Sequence, residues 1–84
     1  MQHMAAVPLI EDEKELKGLI ADLRKEPMVA LDTEASSFHR YKERICLIQL
    51  STRGRTWLVD PIAINDLTAV GALLTDKKVE TVIH

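Results

Sequence analysis

Disulfide chemistry has no foothold in this 84-residue chain, because it holds a single cysteine, Cys46. One thiol cannot form an internal bridge, so a reducing, cytoplasmic setting is the expectation. Aromatic residues number three, Phe38, Tyr41 and Trp57, too few for an extended stacking surface. No apolar run approaches 18 residues, which excludes a membrane-spanning helix. Neither sign of charge dominates: 11 Lys and Arg stand against 13 Asp and Glu, giving a formal net charge of −2. A wholly basic nucleic-acid-binding surface is therefore excluded, although a local one is not. Glycine and proline occur three times each, so neither a flexible linker nor a low-complexity segment is present.

What is present is a globular composition, with 46% apolar and 29% charged residues. At this length folding buries only about 60% of the unfolded chain's surface, so the core is small. Met1-Gln2-His3 precedes a second methionine at Met4 and reads as residues left by an expression vector. The expected natural start is then Met4, and residues 4–84 form one unit. Cys46 lies inside Ile45-Cys46-Leu47-Ile48 and is expected to be a small buried hydrophobe.

Two patterns alternate along the chain. Leu16, Leu19, Ile20 and Leu23 recur at helical spacing, which predicts a helix over Asp12 to Lys25. Asp12 and Glu15 have the spacing of a capping box, and Pro27 stops the helix. The run Val29-Ala30-Leu31 predicts a strand over Met28 to Thr33, and Ala35 to Arg44 reads as a loop. Further strands are expected over Ile45 to Ser51 and Thr56 to Asp60. Thr52-Arg53-Gly54-Arg55 between them is too short for anything but an antiparallel turn. A second helix, capped by Asn65 or Asp66, is expected to reach Leu74 with Leu67, Val70, Gly71 and Leu74 inward. A last strand follows over Val79 to Ile83. The order helix, three strands, helix, strand implies an α/β fold in which helices pack on a mixed sheet.

Asp32 and Glu34 are the residues that carry chemistry. Alternate residues of a strand share a face, so both carboxylates project together. Like charges this close repel, and a divalent cation is the usual compensation. Oxygen-only ligation suits Mg²⁺ or Mn²⁺ rather than Zn²⁺. Gln49, polar within an apolar strand, is a candidate for supporting those carboxylates from the neighbouring strand. Arg40, Lys42, Arg44, Arg53 and Arg55 form a basic stretch that could hold phosphates, and Phe38 and Tyr41 could stack on bases or pin the loop.

Val29-Ala30-Leu31-Asp32-Thr33-Glu34 resembles the first exonuclease motif of the ribonuclease D group in the DEDD superfamily. His39 to Ser51 is similar to the second strand of that group, and Trp57-Leu58-Val59-Asp60-Pro61 to the third. Val79 to His84 resembles the strand that leads into the second motif. The resemblance runs from about Val7 to His84. It implies the N-terminal portion of a ribonuclease H-like fold and metal-dependent 3′→5′ removal of nucleotides. It further implies two ions about 3.5–4 Å apart, held by four carboxylates. Asp32 would bridge them and Glu34 would hold one. Thr33 would lie under the terminal nucleotide, with Phe38, His39, Arg40 and Tyr41 nearby.

The aspartates of the second and third motifs and the general base do not occur among these residues, so the chain is expected to be inactive alone. Self-association, or a second chain completing the domain, is the corresponding expectation for partners. RNA 3′ ends are the expected substrate. The rival readings are a DNA-directed exonuclease of the same superfamily and a non-catalytic module that binds nucleic acid or protein.

Overall fold

The computed structural model describes residues 7–36 and 45–83. Met1 to His3, Phe38, His39, Arg40, Tyr41, Lys42, Arg44 and His84, all singled out above, lie outside the described residues. Among the described residues no helix is long and apolar enough to cross a membrane.

The elements are β1 (Leu9–Ile10), α1 (Glu13–Leu23), β2 (Met28–Ser36), β3 (Ile45–Thr52), β4 (Arg55–Val59), α2 (Thr68–Leu74) and β5 (Glu80–Ile83). The strands form one mixed sheet in the order β1-β4-β3-β2-β5. The expected meander of β2, β3 and β4 is antiparallel throughout. The expected crossover through α2 returns β5 parallel to β2.

One strand was not foreseen. Leu9–Ile10 pairs in parallel with β4, through Leu58 N–H to Pro8 O at 2.9 Å and Asp60 N–H to Ile10 O at 3.0 Å. Two residues are too short for periodicity to reveal. Pro8 is tolerated beside β1 because this strand is a sheet edge.

Helix α1 begins as its sequence predicts. The Asp12 carboxylate accepts the Glu15 N–H at 2.7 Å and so satisfies one orphan donor of the first turn. Leu16, Leu19, Ile20 and Leu23 are all buried. The helix stops at Leu23, two residues before the expected Lys25. Pro27 disfavours helical backbone at the preceding residue, and the chain leaves through the tight bonds Lys25 N–H to Asp22 O and Glu26 N–H to Leu23 O.

Helix α2 differs more from expectation. It starts at Thr68, because Asp66 accepts both the N–H and the hydroxyl of Thr68 in a turn ahead of the helix. Those two bonds hold the Asp66 carboxyl below its ordinary pKa, the hydroxyl contributing most. Val70 and Leu73 face inward, with Leu67 and Ala69 packed at the margin. Leu74 is 38% exposed and Gly71 faces out, so the expected inward face is rotated by about one residue.

Both helices cover the same side of the sheet. Their inward residues form one core with Val29, Leu50, Trp57 and Val59 from the strands, together with Ile10, Ile64 and Val79. Trp57 is in this core as expected, with the Arg55 guanidinium 4.7 Å from its ring centroid. Asp60, fully buried, accepts from Ile62 N–H at 2.9 Å and Ala63 N–H at 3.2 Å and thereby seats Ile64 in the core. Cys46 departs from its expected burial and is exposed. It lies at the start of β3 opposite Ala35, another exposed residue, where no helix residue covers the sheet.

Candidate metal centre

Strand β2 runs to Ser36, three residues beyond expectation, so Glu34 as well as Asp32 sits within the paired strand. Pairing with β3 sets the faces. Asp32 lies opposite Gln49 and Glu34 opposite Leu47, while Leu31 lies opposite Leu50 and Thr33 opposite Ile48. Side chains directly across a ladder share a face. Val29, Leu31 and Thr33 therefore point to the helix side, and Ala30, Asp32 and Glu34 to the other. The sequence-predicted pair is brought together on one face.

Strands β1, β2, β4 and β5 run one way and β3 the other. The carboxyl ends of four strands thus share one end of the sheet, and Asp32 and Glu34 stand near it. In open α/β sheets this is the end where ligands bind. Ser36 and Ile45 are paired with each other at this end.

Asp32 is half-buried and Glu34 exposed. Asp32 Oδ1 accepts the Thr33 N–H at 2.8 Å, which fixes one carboxylate oxygen and occupies the Thr33 donor. Among the described residues no hydrogen bond reaches Asp32 Oδ2 or either Glu34 oxygen. Three hard oxygens on one face suit a small divalent cation. Mg²⁺ in particular keeps several waters and takes one or two carboxylates plus substrate phosphate oxygens. Three or more ligand-type side chains do not cluster anywhere among the described residues. A cage made of these residues alone is thus not the arrangement.

Gln49 stands beside Asp32 across the ladder, half-buried on the carboxylate face, as its sequence position suggests. The basic stretch divides. Arg53 and Arg55 belong to the β3–β4 hairpin, three to four residues along β3 from the level of Asp32, or roughly 10–13 Å at strand spacing. They do not join the carboxylates. The two surface depressions bordering that hairpin, one lined by Asp22, Glu26 and Trp57 and the other by Pro27, Met28 and Glu80, lie at the same far end. Sequence reading missed the hydroxyl pair Ser51 and Thr56, 3.3 Å apart on the carboxylate face. The alternation of β3, carried through its pairing with β4, would have found it.

Residues 7–84 match the sequence family described as 3′-5′ exonuclease. Ribonuclease D of Gluconacetobacter diazotrophicus is 38% identical over 77 residues, covering 90% of this chain and 20% of that protein. The exosome complex exonuclease RRP6 of Saccharomyces cerevisiae is 30% identical over 81 residues, covering 94% of this chain and 11% of its own length. The crystal structure of Escherichia coli RNase D, described as an exoribonuclease involved in structured RNA processing, superposes with a TM-score of 0.76 at 31% identity. That match covers 93% of this chain and 21% of the other. The chain thus spans about a fifth of the length of the ribonuclease D proteins it resembles.

Proposed function

Since the chain belongs to the 3′-5′ exonuclease family, we propose that it is part of a metal-dependent exoribonuclease that removes nucleotides from RNA 3′ ends. The observation that carries this reading is the placement of Asp32 and Glu34 on one face of β2, with three carboxylate oxygens free of hydrogen bonds among the described residues. RNA rather than DNA is favoured by the relatives named ribonuclease D.

Asp32 and Glu34 would hold Mg²⁺ or Mn²⁺, which supplies a polarised water and charge stabilisation on the phosphoryl oxygens. The chain's own residues orient that chemistry. Asp32 is steadied by the Thr33 N–H, so its outer oxygen is presented in one direction. Glu34, more exposed, is the carboxylate nearer to an incoming 3′ end. Thr33 contributes its backbone at the same position. Phe38, His39, Arg40 and Tyr41, which follow β2 in the sequence, are proposed to contact the terminal nucleotides. The chain spans about a fifth of the ribonuclease D proteins it resembles, and the activity is proposed for the whole protein.

End-labelled RNA tests the proposal. The whole protein with Mn²⁺ should release mononucleotides from a 3′-labelled strand and shorten a 5′-labelled strand stepwise. Glu34→Gln should lower that rate at least about 10-fold, because losing a metal ligand costs no less than losing its outer-shell support. Undiminished release by this variant would reject the catalytic assignment.

A further inference from the structure

We propose that Gln49 is a positioning residue for the carboxylate centre, its side-chain amide donating to the outer oxygen of Asp32. The inference rests on the metal-site reading above and extends it to the neighbouring strand.

The ladder leaves this amide few alternatives. Gln49 lies between Asp32 on β2 and Leu58 on β4, so one flank is a carboxylate and the other is aliphatic. Along β3 its same-face neighbours are Leu47, which has no polar side-chain atom, and Ser51, whose hydroxyl pairs with Thr56. The diagonal positions on β2 are Ala30 and Glu34. On the β4 side the diagonal positions are Thr56, which pairs with Ser51, and Asp60, which accepts from Ile62 and Ala63 N–H, so Asp32 is the polar side chain directly abreast of Gln49.

The Cβ atoms of residues directly opposite one another are about 4.5–5.5 Å apart. A glutamine side chain is long enough to span that gap to a carboxylate. Among the described residues the Gln49 amide makes no recorded hydrogen bond, and Asp32 Oδ2 accepts none. Packing alone does not call for glutamine here, since the strand would accommodate valine or isoleucine better.

Charge explains why an amide suits this place. A lysine or arginine opposite Asp32 would neutralise the carboxylate and compete with a cation. An aspartate or glutamate would add a third like charge. A neutral donor orients the carboxylate while preserving its negative charge, as outer-shell partners of metal ligands do.

The test uses the whole protein and measures Mn²⁺ affinity by paramagnetic resonance, alongside kcat and KM on RNA. Gln49→Met keeps length and volume and removes the donor. It should weaken Mn²⁺ binding roughly 3- to 10-fold, the worth of one hydrogen bond. The kcat at limiting metal should fall in step, excess Mn²⁺ should restore it, and KM for RNA should stay constant. Gln49→Glu provides a second reading that survives a folding defect. Its melting temperature should drop without metal, by like-charge repulsion against Asp32, and should recover selectively on adding Mn²⁺.

Unchanged Mn²⁺ affinity in Gln49→Met together with a raised KM would overturn the inference and make Gln49 a substrate contact. Absence of Mn²⁺-dependent recovery in Gln49→Glu would overturn it as well. Asp32→Ala serves as the separate control. If it too leaves Mn²⁺ affinity intact, the metal-site reading itself falls. If it abolishes binding while both Gln49 variants behave as wild type, only the role of Gln49 falls.

Discussion

At the residue scale, single side chains decide where backbone elements begin and which groups remain free. Asp12 shows the first effect. Its carboxylate satisfies the Glu15 N–H, and the first helical turn forms on that bond. Asp12→Ala should cost about 1 kcal/mol of stability, the usual worth of an N-cap, as a lowered urea midpoint with an unchanged slope. Asp32 shows the second effect, with one oxygen committed to Thr33 N–H and the other accepting no bond among the described residues. The cap and the carboxylate pair were legible in the sequence, because each depends on identity and spacing alone. The exposure of Cys46 was not. An apolar run says that a strand is present but not how far along it the helices extend their cover.

At the scale of elements, the β3–β4 hairpin is the sharpest case. Gly54 has φ of 82°, a conformation that side chains other than glycine disfavour. A Cβ built there meets no atom within 4 Å, so a substitution is opposed by the backbone and not by crowding. Gly54→Ala should therefore destabilise the protein by about 1–2 kcal/mol, with amide exchange rising first across Thr52 and Arg55. The Thr75–Glu80 connection makes a different prediction. Asp76 accepts the Lys78 N–H at 2.9 Å and pairs with Arg24 at 2.8 Å. The Lys78 bond first and the guanidinium second hold its carboxyl below the ordinary range. A carboxylate whose folded-state pKa is depressed adds stability above its unfolded value and loses it as pH falls through the folded value. Stability should therefore decline on acidification below the ordinary carboxylate range, and Asp76→Asn should flatten that decline in urea titrations across acidic pH. The meander and crossover were readable from connection lengths. Strand β1 and the inward face of α2 were not, since one is two residues long and the other depends on where the Asp66 turn releases the helix.

At the scale of the whole molecule, the sheet separates two environments. One face carries both helices and the core, and the other carries Asp32, Glu34 and Gln49. Parallel alignment of four strands gathers Glu11, Asp12, Asp32, Glu34 and Asp60 toward the carboxyl end, and leaves Arg53 and Arg55 at the other. The proposed chemistry depends on a cation held by Asp32 and Glu34 on this face. Calorimetric titration of Mn²⁺ into the whole protein and into Asp32→Ala tests this most directly. Saturable binding in the wild type, weakened at least tenfold by the substitution, is the expected result. Equal binding by the two proteins, or none by either, would contradict a metal centre on β2.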